Sequence, residues 1–455
     1  MSNRSLTNML WEAEELARAV ESQSPGFAVS GISIDTRSLQ PGDLFVALGG
    51  ARDGHDFVEE ALAKGAACAL VSRPGMLGPL LLVEDTLAAL TRLGAAARAR
   101  SAARIVAVTG SVGKTTTKEM LRRTLSGFGS VHAAEASFNN HIGVPLTLAR
   151  MPSGTKFGVF EIGMNHPGEI EPLARLVRPQ VAIITCVDRA HLGLMGSEEA
   201  IAAEKASIFN GLEPDGTAVL PRTTPYLPQL MAAVPASAVR LSFGGEGADA
   251  GLISLHSAAD SSDVQASIGG VNVRFRLNAP GRHMAMNALA VLAAARALGL
   301  DVAKAAEVLD GFAPYAGRGA RRPVQLPAGR ILLLDESYNA SAASMRAALE
   351  VLTLQPGRHV AVLGDMLELG EAAEAEHLAL LPDVLAGADK IFTCGAMMGH
   401  LFESLPSTKQ GGHASDAATL AALVKASLQE GDAVLVKGSY GSRMRDVISH
   451  LESPT

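Results

Sequence analysis

A largely β-branched run, Val106-Ala107-Val108-Thr109, stops at Gly110 and is followed by Ser111-Val112-Gly113-Lys114-Thr115-Thr116-Thr117. A helical pattern then opens through Lys118, Glu119, Met120 and Leu121. Strand, glycine turn and helix in that order form the setting of a phosphate-binding loop. Gly110 and Gly113 permit backbone angles that a β-carbon disfavours, so successive N–H groups can converge on phosphate oxygens. The helix N-terminus adds partial positive charge. Lys114 is placed to reach the outer phosphates, and the Thr115 hydroxyl suits magnesium. Thr109, Gly110, Ser111, Val112, Gly113, Lys114, Thr115 and Thr116 are the expected nucleotide contacts. Gly110 stands only three residues before Gly113, so the loop is shorter than the usual G-x-x-x-x-G-K-[ST]. The plain alternative is a strand-turn-helix joint that happens to contain Gly-Lys-Thr. Both flanking elements sit where a triphosphate site needs them, which favours a bound nucleoside triphosphate.

At 455 residues the chain exceeds one ordinary core, and about three domains are expected. Residues 1–103, 104–315 and 316–455 are the boundaries read from the pattern. With 48% hydrophobic and 19% charged residues it is globular rather than disordered. A net charge of −7 and 4% aromatics argue against a nucleic-acid surface. Cys68, Cys186 and Cys394 lie far apart, as expected of buried thiols in a reducing compartment rather than a disulfide framework or zinc site. The start, Met1-Ser2-Asn3-Arg4 followed by Glu12, Glu14 and Glu15, is unlike a signal peptide. Apolar runs such as Ile331–Leu334 are strand-length, so no membrane span is expected and the protein reads as cytoplasmic.

The first block reads as a small α/β unit. It has a helical pattern over Leu6–Val20, strands at Leu44–Leu48, Cys68–Val71 and Leu80–Val83, and helices near His55–Lys64 and from Thr86 to about Arg98. In the central block, strand-like runs at Ile105–Thr109, Gly158–Ile162, Val181–Val187 and Thr217–Leu220 alternate with helical patterns. That alternation predicts a parallel sheet with ligands at the carboxyl ends of its strands. A hairpin around Gly269-Gly270 and helices at Met284–Leu298 and Val302–Leu309 complete it. In the third block, runs at Ile331–Leu334, His359–Leu363, Lys390–Thr393 and Ala433–Val436 predict a second, Rossmann-like doubly wound domain. It has no phosphate loop of its own and is expected to close over the central one. The fold class is thus α/β in three domains.

Several side chains stand out. Glu161 lies inside the apolar strand Phe160-Glu161-Ile162, a costly place for an unpaired charge. A magnesium ligand beside the phosphate loop is the favoured reading, and a buried ion pair the alternative. Asp35 and Arg37, within Ser33-Ile34-Asp35-Thr36-Arg37-Ser38, could read a polar ring and a phosphate. From spacing alone, a capped turn with a local ion pair is the favoured reading, since such pairs are common on surfaces. His191 alone is a loop histidine. Lys205 alone is a solvated helix lysine, on one face with Glu198. Asp335, at a strand end, could hold a ribose hydroxyl or mark a helix N-terminus. Gly364-Asp365 and Lys437-Gly438-Ser439 stand at the edge where a cleft is expected.

Taken in order, Thr109–Thr117, Glu161, Ala190-His191-Leu192, Lys205, Asn287, Gly317-Arg318 and Asp335 resemble the Mur ligases, the ATP-dependent amide-forming enzymes of bacterial cell-wall precursor synthesis. The resemblance spans all three blocks. Within the family, four segments look like the member that adds a dipeptide: Phe138-Asn139-Asn140-His141-Ile142-Gly143-Val144-Pro145, Asp335–Ala340, Leu363–Gly370 and Lys437-Gly438-Ser439. The Asp-Asn-Pro-Arg of the diamino-acid-adding sibling is absent. The resemblance implies ATP, two magnesium ions, UDP-N-acetylmuramoyl-tripeptide and D-alanyl-D-alanine, in a monomer that binds no nucleic acid. A sibling ligase adding a diamino acid or glutamate, or a nucleotide-binding scaffold without turnover, are the rival readings.

The resemblance also implies residue roles. Lys114 would contact phosphate, and Thr115, Glu161 and His191 would hold metal. Lys205 would be carbamylated, since a neutral amine that captures carbon dioxide becomes an anionic oxygen ligand. Asn287 would meet adenine, and Arg318 and Asp335 the nucleotide. Ser33, Asp35 and Arg37 fall in the uridine-nucleotide segment. Asn139, Asn140, Asn339 and Lys437 are the remaining substrate candidates. Two departures stand out. The family's usual Ala-His-Leu-Glu ends in Gly193 here, and Met195 replaces a usual Phe. Glu204 beside Lys205 is also unusual, though neighbouring helix residues do not share a face.

Overall fold

The computed structural model describes residues 9–453 apart from positions 25 and 136, and its strands form three sheets. The first is fully parallel and runs Gly31–Ser33, Asp43–Val46, Cys68–Val71, Leu80–Leu82 in space as in sequence. The helix of the first block is shorter than its apolar spacing predicts. It spans Ala13–Val20, while Trp11 forms an extended bridge to Val29 and residues 1–8 lie outside the described part. Gly31–Ser33 was not expected to be a strand; three residues carry too little pattern to be read.

The central sheet has nine strands. Beginning at the hairpin edge they are Val271–Leu277, Ser262–Ile268, Ala250–Ser257, Val239–Gly244, Thr217–Pro221, Val181–Ile184, Arg104–Thr109, Phe157–Glu161 and Val131–Ala133. The expected hairpin is present, with Ile268 opposite Val271 and both linking glycines at positive φ. Arg104–Thr109 lies between Phe157–Glu161 and Val181–Ile184, so the phosphate loop leaves from deep inside the sheet. Strands buried on both faces read as continuous apolar runs, which is why these three were legible. One core layer lies under helices Lys114–Ser126 and Arg282–Ala297, the other under Ile170–Val177 and Glu198–Ala206.

The third sheet runs Ala320–Leu326, Gly329–Glu336, Ala433–Lys437, His359–Gly364, Lys390–Cys394, Gln410–Ala414. It is parallel except for its first pair. That first strand, Ala-Arg-Arg-Pro-Val-Gln-Leu, was missed because it is a polar edge strand, the one place in a sheet where proline is readily tolerated.

The first sheet is pinned to the central one through Trp11. Its ring is 1% exposed, its Nε1–H donates to the Ala149 carbonyl at 2.9 Å, and the Arg100 guanidinium lies 3.5 Å from the ring centroid. Trp11→Ala removes this anchor and leaves a large void. It is expected to lower stability by about 3–5 kcal/mol, measured as a lower urea midpoint by circular dichroism, with Trp11→Phe intermediate.

Candidate active site

A cavity of about 1080 Å3 has the phosphate loop as its floor. Gly110 has φ +148° and Gly113 φ +85°. A β-carbon at the first would run into Thr185 Oγ1, and one at the second would press on Asn287 Oδ1. The segment after strand Val181–Ile184 clamps the loop from behind. Ser111 N donates to the Cys186 carbonyl at 3.0 Å, Val112 N to Cys186 Sγ at 3.3 Å, and the Ser111 hydroxyl to the Asp188 carbonyl at 2.8 Å. Thr109 is buried at the strand end, off the cavity wall, while Ser111, Val112, Gly113, Lys114, Thr116 and Asn287 line it.

Glu161 sits beneath the loop, 2% exposed, with both carboxylate oxygens satisfied. Thr115 Oγ1 donates to Oε2 at 2.9 Å and Asn139 Nδ2 to Oε1 at 2.8 Å. Partners at both oxygens are what make a buried carboxylate tolerable. Asn140 lines the cavity as well, but its side-chain oxygen accepts from Ile142 N and Gly143 N and so caps a helix. Among the described residues no three His, Cys, Asp or Glu side chains come together in a metal-binding group. A magnesium ion here would take Thr115 and Glu161 and complete its shell with phosphate and water oxygens, a donor set that suits this hard cation.

Two lysines share this desolvated region. Lys114 Nζ donates to the Gly110 carbonyl at 2.7 Å; burial lowers its pKa, and the Glu161 charge opposes that shift. Lys205 is 1% exposed, and the contact found at its Nζ is Met164 Sδ at 4.0 Å. Burial first, and the Lys114 charge second, push its pKa down to about 7. The reading of Lys205 as a solvated lysine is therefore wrong. Helix Glu198–Ala206 turns Ile201, Ala202, Lys205 and Ala206 inward, and one helix of mixed polarity does not reveal which side is covered. Glu198, its supposed companion, instead pairs with Arg189 and accepts from Tyr226. The Glu204 carboxylate accepts from Gly168 N and Ile170 N at 2.8 and 2.9 Å, bonding the backbone at the start of helix Ile170–Val177. A helix-end partner, not the amine next door, explains that acid.

The third sheet supplies the roof. Arg318 Nη2 donates to Ser137 Oγ at 3.2 Å and its guanidinium stacks 3.9 Å from the Tyr338 ring centroid. Lys437, 2% exposed, donates to the Asn339 carbonyl at 2.8 Å and stands 3.7 Å from Glu336. Burial lowers the Lys437 pKa and raises that of Glu336, each countered by the other's charge. Asn339, Lys437 and Glu336 line the cavity; Asp335 does not. Adjacent strand residues face opposite ways, so Asp335 turns aside, accepting from Ser337 Oγ at 2.7 Å and pairing with Arg322 at 3.3 Å. His191, at φ +64°, also lines the cavity, with Nδ1 2.5 Å from Glu368 Oε2 of the third unit. Arg189 reaches across the same seam to Glu376, and Ser341 Oγ donates to Asp188 Oδ2 at 3.3 Å. Sequence reasoning missed Ser137, Glu336, Tyr338 and Glu368; Tyr338 and Glu336 adjoin a residue that was singled out.

Asp35 and Arg37 lie elsewhere, on a second cavity of about 1060 Å3 at the first sheet. They form the local pair that their spacing favoured. Arg37 Nη2 donates to Asp35 Oδ2 at 2.6 Å, which with further bonds from Arg37 holds the Asp35 pKa down at about 2. Ser33 is buried behind them, its hydroxyl donating to the Asp35 carbonyl at 2.9 Å. A third cavity of about 740 Å3 shares Glu135, Phe138 and Arg150 with this one, and Ser137, Arg318 and Tyr338 with the first. The three therefore adjoin one another through shared wall residues.

Family profiles described as "Mur ligase family, catalytic domain", "Mur ligase middle domain" and "Mur ligase, glutamate ligase domain" match residues 28–136, 108–295 and 324–440. The UDP-N-acetylmuramoyl-tripeptide–D-alanyl-D-alanine ligase of Escherichia coli K12 is 37% identical over 442 residues, 95% of this chain and 96% of that protein. Among solved structures, MurF from Acinetobacter baumannii is similar with a TM-score of 0.86 at 32% identity, covering 97% of this chain and 98% of that one. The MurF ligase of Thermotoga maritima in complex with ADP gives 0.80 at 29% identity, covering 93% and 97%.

The buried amine gives a signed prediction for the protein without nucleotide. An unfolded lysine stays protonated up to its ordinary range, whereas folded Lys205 releases its proton near pH 7. Wild-type stability should therefore rise with pH above about 7 and level off near the ordinary lysine value. In bicarbonate-free buffer, Lys205→Met is expected to be a few kcal/mol more stable than wild type below neutral pH. Urea titrations across pH should show that advantage shrinking as pH climbs.

Proposed function

This chain belongs to the Mur ligase family, and we propose that it joins D-alanyl-D-alanine to UDP-N-acetylmuramoyl-tripeptide at the expense of ATP in peptidoglycan precursor synthesis. The observation that carries the reading is the run of cavities from the first sheet to the phosphate loop. A substrate with a nucleotide at one end and a reacting carboxylate at the other needs that length. The uridine nucleotide would lie by Asp35 and Arg37, and the tripeptide would run past Arg150 and Ser137 toward Asn139. Its carboxylate would arrive beside Lys114.

There the terminal carboxylate oxygen attacks the γ-phosphorus of ATP, the bond to the bridging oxygen breaks, and ADP leaves. The amine of D-alanyl-D-alanine then attacks the acyl carbon of the acyl phosphate, and phosphate departs with the electron pair of the broken C–O bond. Lys114 stabilises charge spreading over the transferred group. Two magnesium ions, one at Thr115 and Glu161 and one at His191 with a carbamylated Lys205, would supply further charge neutralisation when bound. Asn287 and Arg318 would hold the nucleotide from opposite walls. Three domains at 1–103, 104–315 and 316–455 divide the labour, and closure of the third excludes water that would hydrolyse the acyl phosphate. The protein would act as a cytoplasmic monomer; no helix among the described residues is long and apolar enough to cross a membrane.

Phosphate release from ATP and UDP-muramoyl-tripeptide should be fast with D-alanyl-D-alanine and slow with a free diamino acid or glutamate. The reverse order would overturn the assignment. Lys114→Met is expected to lower kcat at least about 100-fold. Lys205→Ala should be nearly inactive and partly rescued by short carboxylic acids; full activity without them would refute the carbamate.

A further inference from the structure

Arg98 and Arg100 close their guanidinium heads on fixed acceptors. Arg98 donates to the carbonyls of Val177, Ser101 and Arg178, and the Nη groups of Arg100 donate to Glu15 and the Leu10 carbonyl. Arg150 is different. Half-buried just past helix Gly143–Ala149, it gives Nε to the Ile32 carbonyl at 2.7 Å. A guanidinium carries five N–H donors. Among the described residues, no protein acceptor takes those on Nη1 and Nη2 of Arg150. Glu135 and Asp43 act on this cation through charge alone, without a hydrogen bond. Partial loss of water is costly for a cation whose donors are unfilled. Neither Nη is among the buried atoms without a partner, and Arg150 lines both the second and the third cavity. The open fork therefore meets cavity space, not packed protein.

The third cavity also holds an excess of positive charge. Lys118, Arg122, Arg150 and Arg318 line it against Glu119 and Glu135. Lys118 and Arg122 hold Glu119 at 2.9 and 2.7 Å, while Arg318 rests on Ser137 and the Tyr338 ring. The Arg150 fork has no such partner.

We propose that the third cavity is a side pocket for a free carboxylate of the donor peptide, other than the reacting one, and that Arg150 is its binding residue. The inference rests on the ligase reading above. There the donor's nucleotide lies by Asp35 and Arg37 and its reacting end by Lys114, so Arg150 stands along the middle of the substrate. The middle of the donor carries two kinds of anion, diphosphate and carboxylate. Asp35, Asp43 and Glu60 line the second cavity, which makes it the less favourable place for an added anion. A carboxylate in the third cavity matches the paired donors of a single guanidinium.

Calorimetric titration of the full chain with UDP-muramoyl-tripeptide should show binding at least about tenfold weaker in Arg150→Met than in wild type, with ATP affinity unchanged. Arg150→Lys, which keeps the charge but not the fork, should recover only part of the loss. A donor amidated at every carboxylate except the reacting one should bind wild type as weakly as the natural donor binds Arg150→Met. It should lose nothing further in the variant. UDP-N-acetylglucosamine, which has the diphosphate and no carboxylate, should bind both proteins alike. The 15Nε–1Hε signal of Arg150 should move on adding the natural donor and stay in place with the amidated one. Equal donor affinity in wild type and Arg150→Met, or additive losses from variant and amidation, would overturn the proposal. So would an equal loss with UDP-N-acetylglucosamine, which would make diphosphate the anion. Should Arg150→Met fail to fold, the amidated donor decides the matter on wild type alone. Wild type that binds the donor yet releases no phosphate with D-alanyl-D-alanine sinks the ligase reading, while the titrations still decide the pocket. Wild type that does not bind the donor overturns both.

Discussion

A carboxylate buried beneath a glycine turn sets the terms for the rest of this protein. Glu161 has almost no access to solvent, and its two oxygens are held by Thr115 from the phosphate loop and Asn139 from the neighbouring segment. Burial without those donors would cost several kcal/mol. The strand, the loop and the Asn139 segment must therefore be placed together or not at all. Lys114, half-buried close by with its pKa lowered by desolvation, feels the same acid as its largest favourable charge. A phosphate group entering this corner meets a partly desolvated cation opposed by one fixed anion.

That corner is only part of a reaction site. The central sheet provides the loop, Glu161 and Lys205, while Arg318, Tyr338 and Lys437 come from the third unit and Asp35 and Arg37 from the first. Cross-seam contacts include many polar ones: Arg318 to Ser137, Ser341 to Asp188, Arg189 to Glu376, Gly193 to Glu368 and Arg321 to Asp260. An interface of this character can open and reclose, as a site that must admit two substrates and release products requires. The first sheet is tied more firmly, through buried Trp11 on Ala149.

Legibility in the sequence followed burial. Arg104–Thr109, Phe157–Glu161 and Val181–Ile184 are covered on both faces and announced themselves as apolar runs. The polar edge strand Ala320–Leu326 and the three-residue strands Gly31–Ser33 and Val131–Ala133 did not. The same split runs through the site. Glu161 was conspicuous because a charge interrupts an apolar strand. Lys205 was not, because an amphipathic helix does not state which partner will cover it, and only resemblance to a family raised it. Asp335 was given a role at the cavity that its neighbour Glu336 occupies, an error of one residue that reverses the face of the strand.

The sequence by itself determined the phosphate loop, the parallel sheet behind it and the family, because each rests on local backbone chemistry or on an ordered string of residues. Tertiary structure alone decided which charges lost their water and which groups met across the seam. Lys205 has a pKa near 7 only because the sheet and Lys114 surround it. Gly193 and Glu368 acquire meaning only against each other, 175 positions apart along the chain. Desolvation and contact are properties of neighbours in space, and no local pattern along the chain records them.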